Sequence, residues 1–321
     1  MTSRVGLVLG AGGFGGRAFH AGVLSALEEG LGWDPRSAEI VMGTSAGSQI
    51  GTGLRIGLSG SDMAARIAGE PASPEGERIF RRLGETPTLA PAWRDLLRRP
   101  HVPGPKLLRR FALHPWATAG AFATSFLPIG SLSVQDYASS FRRVLGDRWP
   151  GDALWLCAAR FDDGERVVFG KEGAPVTDVS TAVAASCAVP WLFAPVEIDG
   201  VRYVDGGVCS PTNLDLVAGL GLDLAIVISP MSVARHPGRA MDLPLRRLFR
   251  LRLGREASRV RRSGTDVIAF QPAAEEMAAL GLNAMDPDPQ RWRGAISRIR
   301  EATLRRMERD DFLRRLEPIA A

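Results

Sequence analysis

Lysine is nearly absent from this 321-residue sequence: of its 40 basic residues only Lys106 and Lys171 are lysine, and the remaining 40 − 2 = 38 are arginine. Against 35 acidic residues this leaves a net charge of +5, so the pI of 9.7 reflects a preference for arginine more than a large excess of charge. Such a balance allows a membrane surface or nucleic acid as a partner without demanding either; contact with an anionic membrane is kept as an expectation and a nucleic-acid partner is not expected. Cysteine is also scarce. Cys157, Cys187 and Cys209 are too widely spaced for a CxxC metal or redox site, and their odd number argues against a disulfide framework. A reducing, cytoplasmic compartment follows as the expectation, with no metal and no cofactor.

Long hydrophobic runs are missing as well. Met1 to Arg4 followed by Val5 to Leu9 lacks the apolar stretch and cleavage site of a signal peptide. The longest uncharged stretch, Pro115 to Gln135, is mostly Ala, Gly, Ser and Thr with Pro128 inside it, which suits a buried or interfacial segment better than a membrane span. Hydrophobic residues nevertheless make up 45% and charged residues 23%, enough to build a core and to exclude disorder.

Val5 to Leu9 is a short apolar run ending in glycines, which predicts a buried strand. Val23, Leu24 and Leu27 give His20 to Glu29 a helical period. A second strand is predicted at Glu39 to Met42 and a small-residue helix from Ser45 to Leu58. Alternation of this kind predicts an α/β fold with a mostly parallel sheet between two helical layers. The proline-rich stretch from about 70 to 130 reads as a helical cap inserted into that pattern. Further strands are predicted at Leu154 to Phe161, Arg166 to Phe169, Val196 to Val204, Leu222 to Ser229 and Asp266 to Phe270. Helices are predicted at Ser133 to Leu145, Asp178 to Cys187 and Pro289 to Leu316. Without repeats or a low-complexity linker, residues 1–321 are expected to form one domain. Its motif-bearing core would cover about 5–220, with a C-terminal helical extension over about 272–321.

Three strings can carry chemistry. Gly10-Ala11-Gly12-Gly13-Phe14-Gly15 is a GxGxxG between a strand and a helix, where backbone N–H groups can converge on an anion. Dinucleotide binding would want an acid at the end of the second strand, but Glu39 opens that strand and Val41-Met42-Gly43-Thr44 ends it. An oxyanion or anion cradle is the better reading. Gly43-Thr44-Ser45-Ala46-Gly47 is a GxSxG at a strand-to-helix turn, where small neighbours permit the strained elbow that exposes a nucleophilic serine. Asp205-Gly206-Gly207 ends a strand, unlike the hairpin turns Asp163-Gly164 and Asp199-Gly200. A histidine base is hard to find: of His20, His101, His114 and His236, only His236 follows Asp205 in the order of an α/β-hydrolase triad, and no motif surrounds it.

These strings, in this order, resemble the patatin-like phospholipase family. The similarity lies in Leu7 through Leu24, Gly43 through Ser48 and Tyr203 through Gly207, with Ser186-Cys187-Ala188-Val189-Pro190 similar to the family's small-residue helix end. The resemblance implies a three-layer α/β/α fold, a Ser–Asp dyad that needs no histidine, Ser45 as nucleophile and Asp205 as general base. It assigns the oxyanion hole to Gly12 and Gly13, to which the elbow adds the N–H of Ala46; Gly10, Gly15, Gly43, Gly47, Gly206 and Gly207 are motif glycines. Phe14 stands where the family usually has a basic residue, and Arg17 is the nearest arginine.

The expected activity is hydrolysis of lipid carboxylic esters through an acyl-enzyme. A general carboxylesterase or acyltransferase, and a non-catalytic nucleotide- or lipid-binding module, are the alternatives. Trp116, Phe122 and Phe126 are candidates to line an acyl groove. Leu243 to Arg262 interleaves leucines with arginines, either as a helix packed on the sheet or as one lying on anionic lipid.

Overall fold

In a computed structural model that describes residues 3–84, 101–234, 243–281, 289–309, 312, 315 and 316, one sheet holds every strand. Its centre is made of β1 (Val5–Leu9), β2 (Ile40–Thr44), β7 (Leu224–Ile228) and β8 (Asp266–Phe270), all parallel, with β3 (Ala153–Arg160) parallel to β2. Beyond β3 the pattern turns antiparallel through β4 (Arg166–Phe169), β5 (Val196–Ile198) and β6 (Val201–Asp205).

Both faces of the central strands are covered, which is why they are apolar at nearly every position and show no polar alternation. Leu7, Leu9, Val41, Leu156, Ile226 and Phe270 point to one helical layer, and Val8, Met42, Cys157, Val227 and Val267 to the other. The first layer contains α1 (Gly13–Leu31), α2 (Ala46–Arg55), α3 (Gly60–Ala68), α8 (Val179–Cys187) and α11 (Pro289–Met307). The second is built on α9 (Leu243–Arg262), which buries Leu253, Ala257 and Val260. The remaining helices are α4 (Pro74–Leu83), α5 (Pro105–Leu113), α6 (Pro115–Thr124), α7 (Gln135–Leu145) and α10 (Ala274–Leu280). The α/β/α layering expected from the sequence is therefore the architecture found, and α4–α7 occupy the chain between α3 and β3.

Several boundaries move. Helix α1 begins seven residues before His20, running through Gly13, Gly15 and Gly16. Those glycines lower helix propensity, but close packing overrides it: a Cβ on Gly16 would already touch Ala46 at 3.4 Å and Pro230 at 3.6 Å. Helix α3 is not among the elements expected from the sequence, whereas α10 falls inside the expected C-terminal helical extension. Among the described residues no helix is long and apolar enough to cross a membrane.

The topology of β3 places the site. Leu156 pairs with Gly43 of β2 and Phe169 of β4, and so marks opposite edges; Ala158 likewise has Val167 of β4 on one side and Asp205 of β6 on the other. Strands β2 and β6 therefore lie end to end along the same edge of β3. Their carboxyl ends meet there, with Thr44 beside Cys157 and Asp205 beside Ala158.

Candidate active site

Because those strand ends meet, Ser45 and Asp205 come together across 160 residues of sequence. Both are buried, and the Ser45 side chain is near enough to the Asp205 carboxylate to favour its charged form. Ser45 sits between β2 and α2 with φ 55° and ψ −120°, in the positive-φ region that a residue with a Cβ rarely adopts. The bend is held at three points. The Ser45 amide donates to Ser186 Oγ at 2.9 Å, Ser186 Oγ donates to the Cys157 carbonyl at 2.7 Å, and Ser48 Oγ donates to the Ser45 carbonyl at 2.6 Å. Burial pushes the Cys187 thiol up to about 12, so it stays protonated and donates to that same carbonyl at 3.3 Å.

Gly47 makes the sharp turn possible. A Cβ there would collide with the Leu9 carbonyl, so α2 can pack against the end of β1 only with glycine at this position. Gly43 is confined in the same way, its missing Cβ standing 2.6 Å from Ser48 Cα, and Gly10 packs on the Pro211 and Ile228 carbonyls. Gly15 is buried in the first turn of α1.

Asp205 lies in a pocket from which water is largely excluded. Burial raises its carboxyl to about 6, while the nearby Ser45 side chain and the bond from the Gly207 amide, at 2.7 Å, pull in the opposite direction. Its own amide is tied to the Ala188 carbonyl at 2.9 Å, and Gly206 backs onto the Cys157 carbonyl. The Asp205-Gly206 pair makes no hairpin turn. By contrast Asp199 and Gly200 both take positive φ, as the two-residue turn between β5 and β6 demands.

A cavity of about 1260 Å³ opens above the pair. Gly12, Gly13, Ala46 and Gly207 line it together with Ser45 and Asp205. Helix α1 starts at Gly13 and α2 at Ala46, so two helix N-termini reach this cavity. Their first N–H groups have no intrahelical carbonyl and carry the positive end of the helix dipole. The amide of Ser45 is already engaged by Ser186, which leaves Ala46 as the elbow's available donor. Val134, Val189, Phe193, Met231 and Phe249 make much of the wall apolar.

Other expected residues fall elsewhere. Phe122 stacks on Phe111 at 4.1 Å and meets Phe126 edge-on at 5.2 Å; α6 turns Thr118, Ala119 and Ala123 toward the cavity instead. The aromatic lining expected from Phe122 and Phe126 is corrected accordingly, and the Trp116 side chain lies outside the described residues. His236 lies outside them too. None of the other three histidines lines the cavity. His20 is buried, its pKa lowered to about 4 by desolvation, and its Nε2 is 2.7 Å from the Gly10 carbonyl, so it props the glycine loop as a neutral ring. Arg17 lines the cavity and its guanidinium lies 5.7 Å from the centre of the Phe14 ring. Among the described residues no group of three or more His, Cys, Asp or Glu side chains could hold a metal.

Sequence reasoning passed over Ser186 as a support of the elbow, although it stands in a string already singled out. It also missed Asn213, which takes φ 53° and bonds Thr44 Oγ1 at 3.0 Å, and Glu256 of α9. The Glu256 carboxylate receives Ser210 Oγ and Thr212 Oγ1 at 2.6 Å each and the Leu214 amide at 3.1 Å, fastening α9 to the loop that follows Asp205. No local pattern announces such a long-range acceptor.

Uncharacterized NTE family proteins of Mycobacterium tuberculosis and Mycobacterium bovis are 26% identical over 245 residues, covering 74% of this chain and 52% of theirs. The chain thus spans about half the length of these curated relatives. Among solved structures, VipD from Legionella pneumophila is similar over 95% of this chain and 66% of its own, at 14% identity and a TM-score of 0.43. The type III effector protein ExoU is similar over 99% and 59%, at 16% identity and a TM-score of 0.34. The patatin-like phospholipase profile matches residues 7–218, from the first strand to beyond the Asp205 loop. With two thirds of its length under that profile, the chain belongs to the patatin-like phospholipase family.

Proposed function

We propose that the chain is a serine acyl hydrolase cleaving carboxylic esters of lipids, with Ser45 as nucleophile and Asp205 as general base. The observation that carries this reading is the juxtaposition, at the floor of one cavity, of a strained, positive-φ serine and a buried aspartate whose pKa is raised to about 6. An ordinary aspartate, near 3.9, is too weak a base for a serine hydroxyl; burial brings this one closer to neutral pH.

Ser45 Oγ attacks the ester carbonyl carbon as its proton passes to Asp205. The amides of Gly12, Gly13 and Ala46 receive the developing oxyanion, a contribution of about 3–4 kcal/mol for a single such donor in related chemistry. Collapse of the tetrahedral intermediate breaks the ester C–O bond, and the leaving alcohol takes the proton from Asp205. Water, deprotonated by Asp205, then attacks the acyl-enzyme and regenerates Ser45. The cavity exceeds the usual 300–1,000 Å³ of a small-molecule pocket, which suits an acyl chain.

The test is an ester panel from short nitrophenyl esters to phospholipids and triacylglycerols, with a fluorophosphonate probe alongside. Ser45→Ala is expected to lose labelling and at least about a thousandfold in turnover while keeping its thermal transition. Full turnover by folded Ser45→Ala would overturn the assignment. Cofactor-dependent thermal stabilisation with no Ser45 labelling would favour a binding module.

A further inference from the structure

The most basic element of the chain is α9. Helix α9 carries eight arginines and one acid, Glu256. That is seven net positive charges against +5 for the whole chain, so everything outside α9 is acidic by two. Glu256 is buried and offsets nothing on the outer face.

That outer face borders the mouth of the cavity. Leu245 and Leu248 line the cavity yet remain 47% and 59% exposed, and Leu251 is 64% exposed. Trp191, also a lining residue, is 38% exposed. Beside them Arg247, Arg250, Leu251, Arg255 and Arg262 border a second, open groove of about 840 Å³. Among the described residues these four arginines have no carboxylate within 4.0 Å, unlike Arg252 with Glu256 and Arg259 with Asp215. Solvent-facing leucines next to unneutralised arginines suit neither a core nor an ordinary solvated helix face.

We infer that this face of α9 docks on an anionic lipid bilayer. The arginines meet phosphate headgroups, Leu248 and Leu251 enter the headgroup–acyl boundary, and the cavity mouth is set against the membrane. Charge complementarity selects this occupant, since a second copy would bring another arginine-rich helix against the first. The inference rests on the lipid-hydrolase reading for its purpose, but its test needs no catalysis.

Full-length Ser45→Ala protein is sedimented with vesicles of phosphatidylcholine alone and of phosphatidylcholine mixed with phosphatidylglycerol. Partition is expected to be at least about tenfold stronger on the anionic vesicles and to fall as salt rises. Replacing Arg247, Arg250 and Arg262 together by glutamine should weaken it by about fivefold per arginine. In protein retaining Ser45, that triple variant should keep its rate on a soluble short ester and lose it on anionic vesicles. Equal partition on both vesicle types, or a folded triple variant that binds like the parent, overturns the inference. So does a solution dimer that the triple variant dissolves. Salt dependence in the parent protein serves as the test if the variant does not fold. Vesicle binding without ester hydrolysis would leave docking standing and remove the catalytic reading; the converse would remove docking alone.

Discussion

Asp205 has two neighbours that favour its charged form and a surrounding that opposes it, and the surrounding wins. Burial among Ala188, Val204 and the Gly206-Gly207 backbone raises its pKa to about 6 despite the nearby Ser45 side chain and the bond from Gly207. The acid limb of the pH–rate profile for ester hydrolysis should therefore fall near pH 6, because the base must be ionised to act. Stability follows the same linkage with the opposite sense from a salt-bridged carboxylate. A raised folded-state pKa means that the unfolded chain releases its proton first. The cost to the fold is absent below about pH 4, grows up to about pH 6 and is complete above it. Asp205→Asn removes that cost. Its stability relative to the parent, from urea unfolding, should rise by up to about 3 kcal/mol between pH 4 and pH 8. A difference that stays flat with pH would show that Asp205 is not held at a raised pKa.

At this scale the sequence is informative where residues come in strings. Ser45 and Asp205 stand in short glycine-flanked motifs that name the residue and its immediate surroundings in one reading, so their prominence needed no structure. Their direct contact did, and so did Ser186, Asn213 and His20. Each of these acts through a hydrogen bond to a carbonyl, amide or hydroxyl remote in sequence, which no local spacing encodes.

Among the elements, glycine has opposite meanings in α2 and α9, and the difference can be measured. At Gly47 a methyl group would run into the Leu9 carbonyl, so Gly47→Ala should destabilise by about 1–3 kcal/mol or more through overpacking. Gly254 lies on the exposed side of α9, where an added methyl group would meet nothing within 4 Å, and Gly254→Ala should stabilise by about 0.5–1 kcal/mol. Urea midpoints moving in opposite directions would bear out both; a stabilising Gly47→Ala would contradict the packing of α2 on β1. Apolar periodicity located most strands and α8 to within a residue or two. It failed at the start of α1, where tertiary packing of glycines outweighs propensity, and at the short helix α3, whose nine residues are too few to show a clear period.

Across the whole molecule, the C-terminal helix is structural core, although in sequence it reads as an extension. Trp292 and Ile299 of α11 are buried, and Ile299 packs where Gly22 of α1 lacks a side chain. Charge-rich sequence disguised this, since α11 leaves Arg293, Arg300 and Arg305 half-exposed while packing on α1, α3 and α10. Ile299→Ala should cost about 2–5 kcal/mol by calorimetry or urea unfolding, as for other buried aliphatic truncations. A loss below about 0.5 kcal/mol would mean that α11 is not part of the cooperative core.

One consequence of the end-to-end meeting of β2 and β6 concerns control. Thr44, the residue before Ser45, and Asp205 are set against consecutive residues of β3, Cys157 and Ala158, so a single strand acts as the ruler for both. No hinge runs between them, and no domain closure can bring them together or draw them apart. Sliding β3 by one residue would carry both side chains along while turning its own core residues to the wrong layer. An on–off switch in this architecture therefore has to work on what reaches the pair, through the mouth of the cavity, because their spacing is fixed by the sheet itself.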